Sequence, residues 1–389
     1  MKKLLAIILG LGLGILVAAT ASAQLTPGGI DMQPANSGIA EEVRFFHNGI
    51  LLPIITVICL FVLALLIWVS VRYNAKANPT PRKFSHNTLL EVAWTGIPII
   101  ILLIISLPSF ELLFKEDVMP DGKQVVAMGD GQTVDFVFNN DFPKTRMVER
   151  ARHLQVIVDD GSGARALKNR ADYTLDGLGD PEVVVSFATP PASGTRVIMR
   201  GGRSTQNASG CPKAKRYTDR CDQEIVLAPT MTLKVDGFQW GWNYSYPDFG
   251  DFEYVSKILP KDQTTPELWL REVDNRIVVP VGETVRVIVT AKDVIHAWAL
   301  PAFAVKIDAV PGRINEIWFQ ADRVGVYYGQ CSEICGIEHA YMPIAVEVVS
   351  RPVFEAWVDS QRTLAGLDPM FEINSVKLAR TENNSAAAE

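Results

Sequence analysis

Soft and borderline metal ligands are concentrated in one segment of 12 residues in the C-terminal part of the chain. The segment reads Cys331-Ser332-Glu333-Ile334-Cys335-Gly336-Ile337-Glu338-His339-Ala340-Tyr341-Met342. Two thiolates, an imidazole and a thioether together suit copper better than magnesium or calcium. A second histidine, His296, lies 35 residues before Cys331 and follows a predicted strand over residues 284–289. Because two loops at one end of a β-sandwich can meet, His296 could complete the site.

Three other interpretations fit the same spacing. Exported cysteines commonly form disulfides, so Cys331 could pair with Cys335. Structural zinc is satisfied by two cysteines and two histidines and has no need of Met342. The four ligand types could also line one apolar helix face, although Gly336 and the strand-like neighbours argue against a helix there. The spacing favours copper and leaves these alternatives open.

Length and composition restrict the class of protein. The 389 residues correspond to two or three domains at ~150 residues each. Hydrophobic residues make up 48% of the chain and charged residues 21%, which excludes a disordered protein. The net charge of −6 argues against nucleic-acid binding, but an acidic surface for a basic partner remains possible.

The apolar residues fall into three stretches. Residues 1–23 are typical of a secretory signal peptide, with Lys2 and Lys3 before an apolar run and Ala21-Ser22-Ala23 as the cleavage site; the alternative is an uncleaved membrane helix. Residues 50–71 and 92–114 are each long enough to cross ~30 Å of hydrocarbon. The loop between them carries Arg72, Lys76, Arg82 and Lys83 and no acid, which predicts a cytoplasmic loop. Residues 24–115 therefore form a periplasmic N-terminal segment and a transmembrane hairpin, and the remainder is exported.

The exported part is predicted to be all-β. Short apolar runs broken by Gly, Pro and Asp indicate a β-sandwich or Greek-key barrel over residues 229–365, with strands at 232–235, 276–279, 284–289, 315–319 and 344–349 and a helix at 352–362. Residues 116–228 form a β-rich insertion with strands at 154–158, 183–187 and 196–199. Residues 366–389 form a polar C-terminal tail.

The ligand segment, preceded by Gln330, resembles the dinuclear copper (CuA) loop of cytochrome c oxidase subunit 2. Residues 293–298 (Asp-Val-Ile-His-Ala-Trp) are similar to the first ligand segment of that family, and residues 239–246 are similar to its aromatic segment. The two-span hairpin followed by an exported domain matches its architecture. The resemblance covers about residues 40–115 and 229–365 and implies a cupredoxin-like Greek-key barrel after the hairpin.

The resemblance implies a role for each ligand. Cys331 and Cys335 bridge two copper ions, His296 and His339 bind one copper each, and Met342 and the backbone carbonyl of Glu333 are weak axial ligands. The Glu333 side chain then reaches a magnesium ion at the interface with subunit 1. Asp308 matches a position in the outer shell of that ion, and the alternative for it is an ordinary turn residue.

Two further residues match functional positions of the family. Trp240 matches the tryptophan through which electrons enter, and the alternative is a core aromatic; Gly241 departs from the bulky residue usual beside it. Glu91 matches a glutamate that starts a proton path into the catalytic subunit. The alternative for Glu91 is a capping box that begins at Thr88.

Docking and disulfide formation rest on weaker patterns. Asp248, Asp251, Glu253 and Asp293 could form an acidic patch for basic cytochrome c, or could be scattered surface acids. Lys292 stands where the family usually has an acid. Cys211 and Cys221 lie in the insertion, have no histidine or methionine at ligand spacing, and are expected to form a disulfide.

The resemblance predicts the electron-accepting subunit of a bacterial aa3-type cytochrome c oxidase in the inner membrane, with both termini in the periplasm. Its partners would be subunits 1 and 3, cytochrome c, membrane lipid and an accessory subunit at the insertion. No Cys-x-x-Cys-His motif occurs, so the electron donor must be a separate protein. Rivals are a quinol oxidase subunit, which lacks the copper ligands, nitrous oxide reductase, which carries a propeller domain, and a tethered copper carrier.

Overall fold

The computed structural model describes residues 29–80, 86–142, 148–203, 205–207 and 223–371 of the chain. The predicted signal peptide, the residues from 372 onwards, Arg82, Lys83 and the cysteine pair 211 and 221 lie outside these ranges. The described chain runs from two long apolar helices into two β domains. Both predicted spans and every β run predicted from the sequence lie within helices and strands of the structure, apart from end differences of one to three residues.

The first apolar segment is one continuous helix of 35 residues, Gly38–Arg72. It consists of helix α1 (Gly38–Phe46), a π-helical turn (His47–Leu51) and helix α2 (Leu52–Arg72). At 1.5 Å per residue the helix is about 52 Å long, whereas a bilayer core is about 30 Å thick. The predicted span at 50–71 is therefore only one part of this helix, and α1 extends beyond that part to reach the β domains.

The second apolar segment is helix α3, Thr88–Asp117, which contains the predicted span at 92–114. The structure corrects the predicted cap by one residue, because the N-cap is Asn87 and not Thr88. The Asn87 side chain accepts a hydrogen bond from the Leu90 amide, and Glu91 Oε1 accepts one from the Asn87 amide, both at 3.2 Å. The side chains of Asn87 and Glu91 thus satisfy two backbone amides at the start of the helix.

A short buried junction fixes the helices to the exported part. The Asn36 amide donates to the carbonyl of Ala302 at 2.6 Å, and the Ser37 hydroxyl donates to the carbonyl of Phe303 at 3.0 Å. At the end of α3, Lys115 pairs with Glu42 of α1 at 2.7 Å. Because these partners are buried or partly buried, the junction sets the height of the β domains above the membrane segment.

The insertion is a small β-sandwich with its own core. One sheet has strand order β1-β7-β3-β4 and the other has order β2-β6-β5, with a separate two-stranded pair β8-β9. The strands are β1 (Lys123–Met128), β2 (Asp135–Asn139), β3 (Leu154–Asp159), β4 (Ala164–Ala166), β5 (Tyr173–Asp176), β6 (Glu182–Phe187), β7 (Arg196–Gly201), β8 (Thr205–Asn207) and β9 (Gln223–Ile225). Alternate residues of both sheets meet in one apolar cluster that includes Phe138, Val156, Val183 and Met199.

The second β domain consists of two five-stranded sheets packed face to face. Their orders are β12-β11-β10-β14-β17 and β13-β19-β18-β15-β16. The strands are β10 (Met231–Phe238), β11 (Gly241–Tyr246), β12 (Phe252–Ser256), β13 (Ile277–Pro280), β14 (Thr284–Ala291), β15 (His296–Leu300), β16 (Val305–Ala309), β17 (Asn315–Gln320), β18 (Gly325–Cys331) and β19 (Pro343–Val349). Helix α4 (Arg351–Leu364) follows β19 and places Trp357 against Tyr246, with ring centroids 5.1 Å apart.

A glycine lets two strands of this domain approach closely. Strand β15 pairs antiparallel with β18, with Trp298 opposite Cys331 and Ala299 opposite Gln330. A Cβ atom on Gly329 would lie 1.9 Å from the carbonyl oxygen of Ala299. Only glycine fits there, and the close approach puts the end of β18 beside the start of β15.

We expect the insertion to lose structure independently of the second β domain. Phe138 is fully buried in the insertion core, whereas its neighbour Val137 is 48% exposed. Phe138→Ala should lower the free energy of unfolding of the insertion by about 3–5 kcal/mol. Val137→Ala, the matched control, should change it by roughly 0.5 kcal/mol.

Amide hydrogen exchange on the two domains measures this difference. Phe138→Ala should speed exchange in strands β1–β7 and leave strands β10–β19 protected. Equal loss of protection in both domains would contradict the separation of the two cores.

Candidate metal centre

The ligand segment is a loop between β18 and β19 that backbone hydrogen bonds close at its base. The Cys331 amide donates to the carbonyl of Met342 at 3.0 Å, so the two ends of the loop are adjacent. The Ser332 amide donates to the carbonyl of Ala297 at 3.0 Å, which ties the loop to β15. The segment has one short 3-10 turn, His339–Tyr341, and is not a helix, so the apolar-helix interpretation is wrong.

The loop brings the predicted donor atoms together around two sulfurs. The Sγ atoms of Cys331 and Cys335 lie 3.9 Å apart. Each sulfur has a histidine Nδ1 beside it: His296 at 4.0 Å from Cys331 and His339 at 3.6 Å from Cys335. Met342 Sδ lies 3.5 Å from the Cys335 sulfur, and the carbonyl oxygen of Glu333 lies 3.3 Å from the Cys331 sulfur.

This donor set fits metal ions held between the two sulfurs. Both cysteines are free thiols, and a disulfide would need its sulfurs at about 2.05 Å. A thiolate sulfur binds a borderline metal at about 2.3 Å, so one ion can contact both sulfurs at their present spacing. His296, Cys331 and Cys335 are all buried, with their ligand atoms within 4.8 Å of one another. Thiolate, imidazole and thioether donors together suit copper.

Electrostatics ionise one thiol of the pair more readily than the other. Burial opposes ionisation of Cys331, but hydrogen bonds from His296 and the Ala297 amide outweigh it, so its pKa is lowered. Burial and the neighbouring Cys331 charge raise the pKa of Cys335. Two thiolates at this distance repel each other, and a bound cation removes that repulsion.

A carboxylate orients the first histidine. Asp293 Oδ1 lies 3.0 Å from His296 Nε2, which leaves Nδ1 facing the sulfur of Cys331. The other carboxylate oxygen accepts a hydrogen bond from the Gln239 amide at 2.7 Å. Such a partner fixes the ring orientation of a metal-binding histidine. The sequence assigned Asp293 to a docking patch; its contact with His296 is additional, and the spacing of three residues between Asp293 and His296 was the available signal.

Trp240 lies against the ligand loop, half-buried at the turn between β10 and β11. Its indole Nε1 donates to the carbonyl of Cys335 at 3.2 Å. The same carbonyl accepts from Gln239 Nε2 at 2.9 Å. Gly336 has a φ of +120°, and a Cβ there would lie 3.0 Å from the indole Cζ2. Gln239 and Gly336 therefore shape this contact, and sequence reasoning gave neither of them a role.

The two predicted magnesium residues are both exposed, and both lie close in the chain or sheet to contacts of Ala297 on β15. The Glu333 side chain is exposed, one residue beyond the bond that joins Ser332 to Ala297. Asp308 is exposed on β16 and pairs in register with that same Ala297. Glu333 lies in the loop after β18 and Asp308 lies on β16, and β15, which carries Ala297, runs between these two strands.

The four predicted docking acids do not form one cluster. Asp293 lies at the metal end, whereas the Asp248 carboxylate accepts from the Thr232 amide at the start of β10. Six residues of β10 separate Thr232 from the end beside Trp240, or roughly 20 Å at 3.3 Å per residue. Asp251 follows in the same turn as Asp248, and Glu253 accepts from Asn243 Nδ2 at 3.0 Å on the adjacent strands.

The sequence matches two models of one protein family. "Cytochrome C oxidase subunit II, periplasmic domain" matches residues 231–349, and "Cytochrome C oxidase subunit II, transmembrane domain" matches residues 25–112. A probable cytochrome c oxidase subunit 2 of Rickettsia felis is 37% identical over 351 residues, which cover 90% of this chain and 77% of that protein. Cytochrome c oxidase subunit 2 of Cereibacter sphaeroides is 30% identical over 377 residues, covering 90% of this chain and 88% of that protein.

A solved structure is also similar. The periplasmic domain of subunit II of cytochrome oxidase of Bradyrhizobium japonicum is 51% identical and covers 36% of this chain and 97% of its own length, with a TM-score of 0.34.

We expect Asp293→Ala to weaken metal binding. Loss of the hydrogen bond to His296 Nε2 frees the imidazole to rotate, and loss of such a partner costs about 10- to 100-fold in metal affinity. Copper affinity of the purified chain, measured by competition with a chelator, checks this. The matched control is Asp251→Ala at the other end of the domain, which should leave the affinity unchanged; an equal loss in both variants would contradict the assigned role.

Proposed function

The chain belongs to the cytochrome c oxidase subunit II family, and from this we propose that it receives electrons from cytochrome c and passes them to haem a in subunit 1, where oxygen is reduced to water and protons are pumped. It is a membrane subunit of the oxidase complex with an exported copper-binding domain. One observation supports the proposal most strongly: two thiols, two imidazoles and a thioether converge on one buried point at the end of a β-sandwich.

We assign the metal ligands as Cys331, Cys335, His296, His339, Met342 and the carbonyl of Glu333. A dinuclear copper centre held by these residues would supply one-electron transfer. The chain supplies the rest. The loop closed between Cys331 and Met342 holds the sulfurs in place, and Asp293 holds the imidazole of His296.

Trp240 is the proposed point of electron arrival. Its ring is half-buried, so one edge faces the solvent from which cytochrome c approaches. Its N–H contacts the carbonyl of a ligand residue, Cys335, which gives a short bonded path from the surface to the sulfur pair. We propose that the exposed Glu333 side chain binds a magnesium ion at the interface with subunit 1, with Asp308 in the outer shell of that ion.

The four predicted docking acids have different roles in this proposal, because they lie at different distances from Trp240. Electron-transfer complexes have small interfaces, below about 1,200 Å² in total, so each partner contributes a patch of about 14 Å radius. Asp293 lies within such a patch around Trp240. Asp248 and Asp251 lie outside it, and Glu253 lies on the strand that connects the two regions. We propose that these three acids steer basic cytochrome c over a distance of about a Debye length rather than touch it.

The membrane orientation follows from charge. Arg72 and Lys76 lie at the end of helix α2, and the positive-inside rule puts this end in the cytoplasm of a bacterial inner membrane. Both termini and both β domains are then periplasmic. Glu91 lies at the cytoplasmic start of α3 and is half-buried, which suits the start of a proton path into subunit 1. The same side chain also accepts from the Asn87 amide.

Other subunits have a large apolar surface to contact. None of the side chains of Leu52–Arg72 is buried, and in Thr88–Asp117 only Leu112 is. We propose that subunits 1 and 3 and membrane lipid cover these helices. The insertion has a core separate from the copper domain, so it can bind an accessory subunit without disturbing the metal site. A disulfide between Cys211 and Cys221 stays a prediction.

Purification from the native membrane tests the proposal. The chain should leave the membrane together with haem a and the large subunit, and its copper should give the electron paramagnetic resonance spectrum of a mixed-valence pair. A chain that purifies alone, with labile mononuclear copper, would instead be a tethered copper carrier.

We expect Trp240→Phe to slow electron arrival without altering the centre. Phenylalanine keeps an aromatic ring in place but removes the N–H that contacts the carbonyl of Cys335. The rate of reduction by cytochrome c, followed by stopped flow, should fall strongly, while the redox potential and the rate of transfer onward to haem a stay at wild-type values. The matched control Trp269→Phe, an indole of the same domain that packs on Tyr341, should keep the wild-type rate.

We expect Glu91→Gln to lower oxidase turnover. Glutamine keeps the oxygen that accepts from the Asn87 amide, so the helix start is preserved, but it cannot carry a proton. Steady-state turnover and proton uptake in reconstituted vesicles check this. Full turnover with an intact complex would leave Glu91 only its capping role.

A further inference from the structure

Three arginines surround one histidine at an edge of the insertion. Arg150, Arg152 and His153 lie in and beside the 3-10 turn Ala151–His153 that leads into β3. The His153 carbonyl accepts a hydrogen bond from the Gly202 amide at 3.0 Å, which brings Arg203 alongside the turn. We call these four residues the arginine cluster.

Within the described residues, the arginine cluster contains more arginines than ion pairs. The pKa of His153 is lowered, first by burial and then by the positive charges of Arg152, Arg203 and Arg150. Arg203 pairs with Glu149 at 3.0 Å. Within the described ranges, neither Arg150 nor Arg152 has an ion pair. Of the three guanidinium groups, only that of Arg203 is paired with a carboxylate in these ranges.

A buried donor in the arginine cluster lacks an acceptor. Arg152 Nε lies 3.4 Å from His153 Nε2, which acts as acceptor and leaves the ring proton on Nδ1. That Nδ1 is buried and has no hydrogen-bond partner in the part of the chain that the structure describes. Because Nδ1 is buried, a ligand at the surface would contact the arginines and not this atom, and the contribution of the ring is to hold Arg152 through its Nε.

The arginine cluster lies close to the membrane end of the domain. The Arg203 amide donates to the Asp121 side chain at 3.1 Å. Asp121 follows the end of α3 at Asp117 by four residues, which can span at most about 14 Å. The polar headgroup layer begins where the apolar part of α3 ends, so the arginine cluster can reach a lipid phosphate.

We propose that the arginine cluster binds a phosphate group, supplied by the headgroup of an anionic phospholipid in the leaflet below the β domains. Guanidinium groups bind phosphate oxygens bidentately, and His153 holds one of them, Arg152, in place. The site would hold the insertion against the bilayer and limit its motion relative to the copper domain. It depends on the two membrane spans but not on the electron-transfer role.

Titration of the full-length chain in a neutral detergent tests the proposal. The probes are a short-chain phosphatidylglycerol, a short-chain phosphatidylcholine and inorganic phosphate, with binding followed by calorimetry. Phosphatidylglycerol should bind and phosphatidylcholine should not. Tighter binding of the lipid than of inorganic phosphate would support a headgroup as the ligand, and equal binding would support a free phosphate at the same site.

Substitutions that remove the arginine charges test which residues bind the phosphate group. Each arginine near an anionic surface contributes about a fivefold gain in affinity, so Arg150→Gln with Arg152→Gln should weaken phosphatidylglycerol binding about thirtyfold. The matched control is Arg165→Gln with Arg196→Gln, which removes the same charge from the far end of the same sheet and should leave binding unchanged. His153→Leu removes the group that accepts from Arg152 Nε and should weaken binding with the charge kept.

Three results would overturn the proposal. The first is that phosphatidylcholine binds as tightly as phosphatidylglycerol. The second is that the test pair and the control pair of substitutions lower the affinity equally. The third is that the purified complex of the test pair lacks a bound protein rather than a lipid. Hydrogen exchange of β1–β7 in each variant shows whether the insertion has stayed folded, so a folding defect is not mistaken for loss of the site.

Discussion

The metal centre depends on two cysteine sulfurs held 3.9 Å apart by a loop that has almost no regular structure of its own. Two negatively charged thiolates at that distance repel each other, so the loop has to be fixed from outside. Hydrogen bonds from Cys331 to Met342 and from Ser332 to Ala297 do this by joining the loop to three strands of one sheet. The ten strands of the domain thus determine the position of one loop.

Both sheets supply the surroundings of the sulfurs. His296 begins β15, and its ring lies 6.0 Å from that of Trp242 on β11. A Cβ on Gly237 of β10 would lie 3.0 Å from the same ring, so a side chain there would displace the imidazole. Asp293 then joins His296 to the Gln239 amide, and through Gln239 to Trp240. The proposed path of the electron and the orientation of a ligand therefore share one set of contacts.

The insertion illustrates a different use of the β-sandwich. Its core contains no residue of the copper domain's core, and the two are joined through short segments near Gly122 and Leu227. Changes inside the insertion need not move the sulfurs. The buried junction at Asn36 and Ser37, together with the pair of Lys115 and Glu42, instead connects the copper domain to the membrane helices. The distance from membrane to metal is thus set by polar contacts outside both cores.

The sequence alone determined the features that depend on local composition. Two apolar stretches of sufficient length predicted the spans, and runs of alternating residues predicted the β domains. A run of sulfur and nitrogen ligands predicted the donor set. Each of these patterns lies in residues that are close together in the sequence. Contacts between distant residues were decided only by the tertiary structure. Strand pairing brings Gln239 to the Cys335 carbonyl and brings the arginines of the cluster to His153. It also keeps Asp248 away from Asp293. Local periodicity gives no information on which strand ends meet, and the packing of the two sheets fixes that.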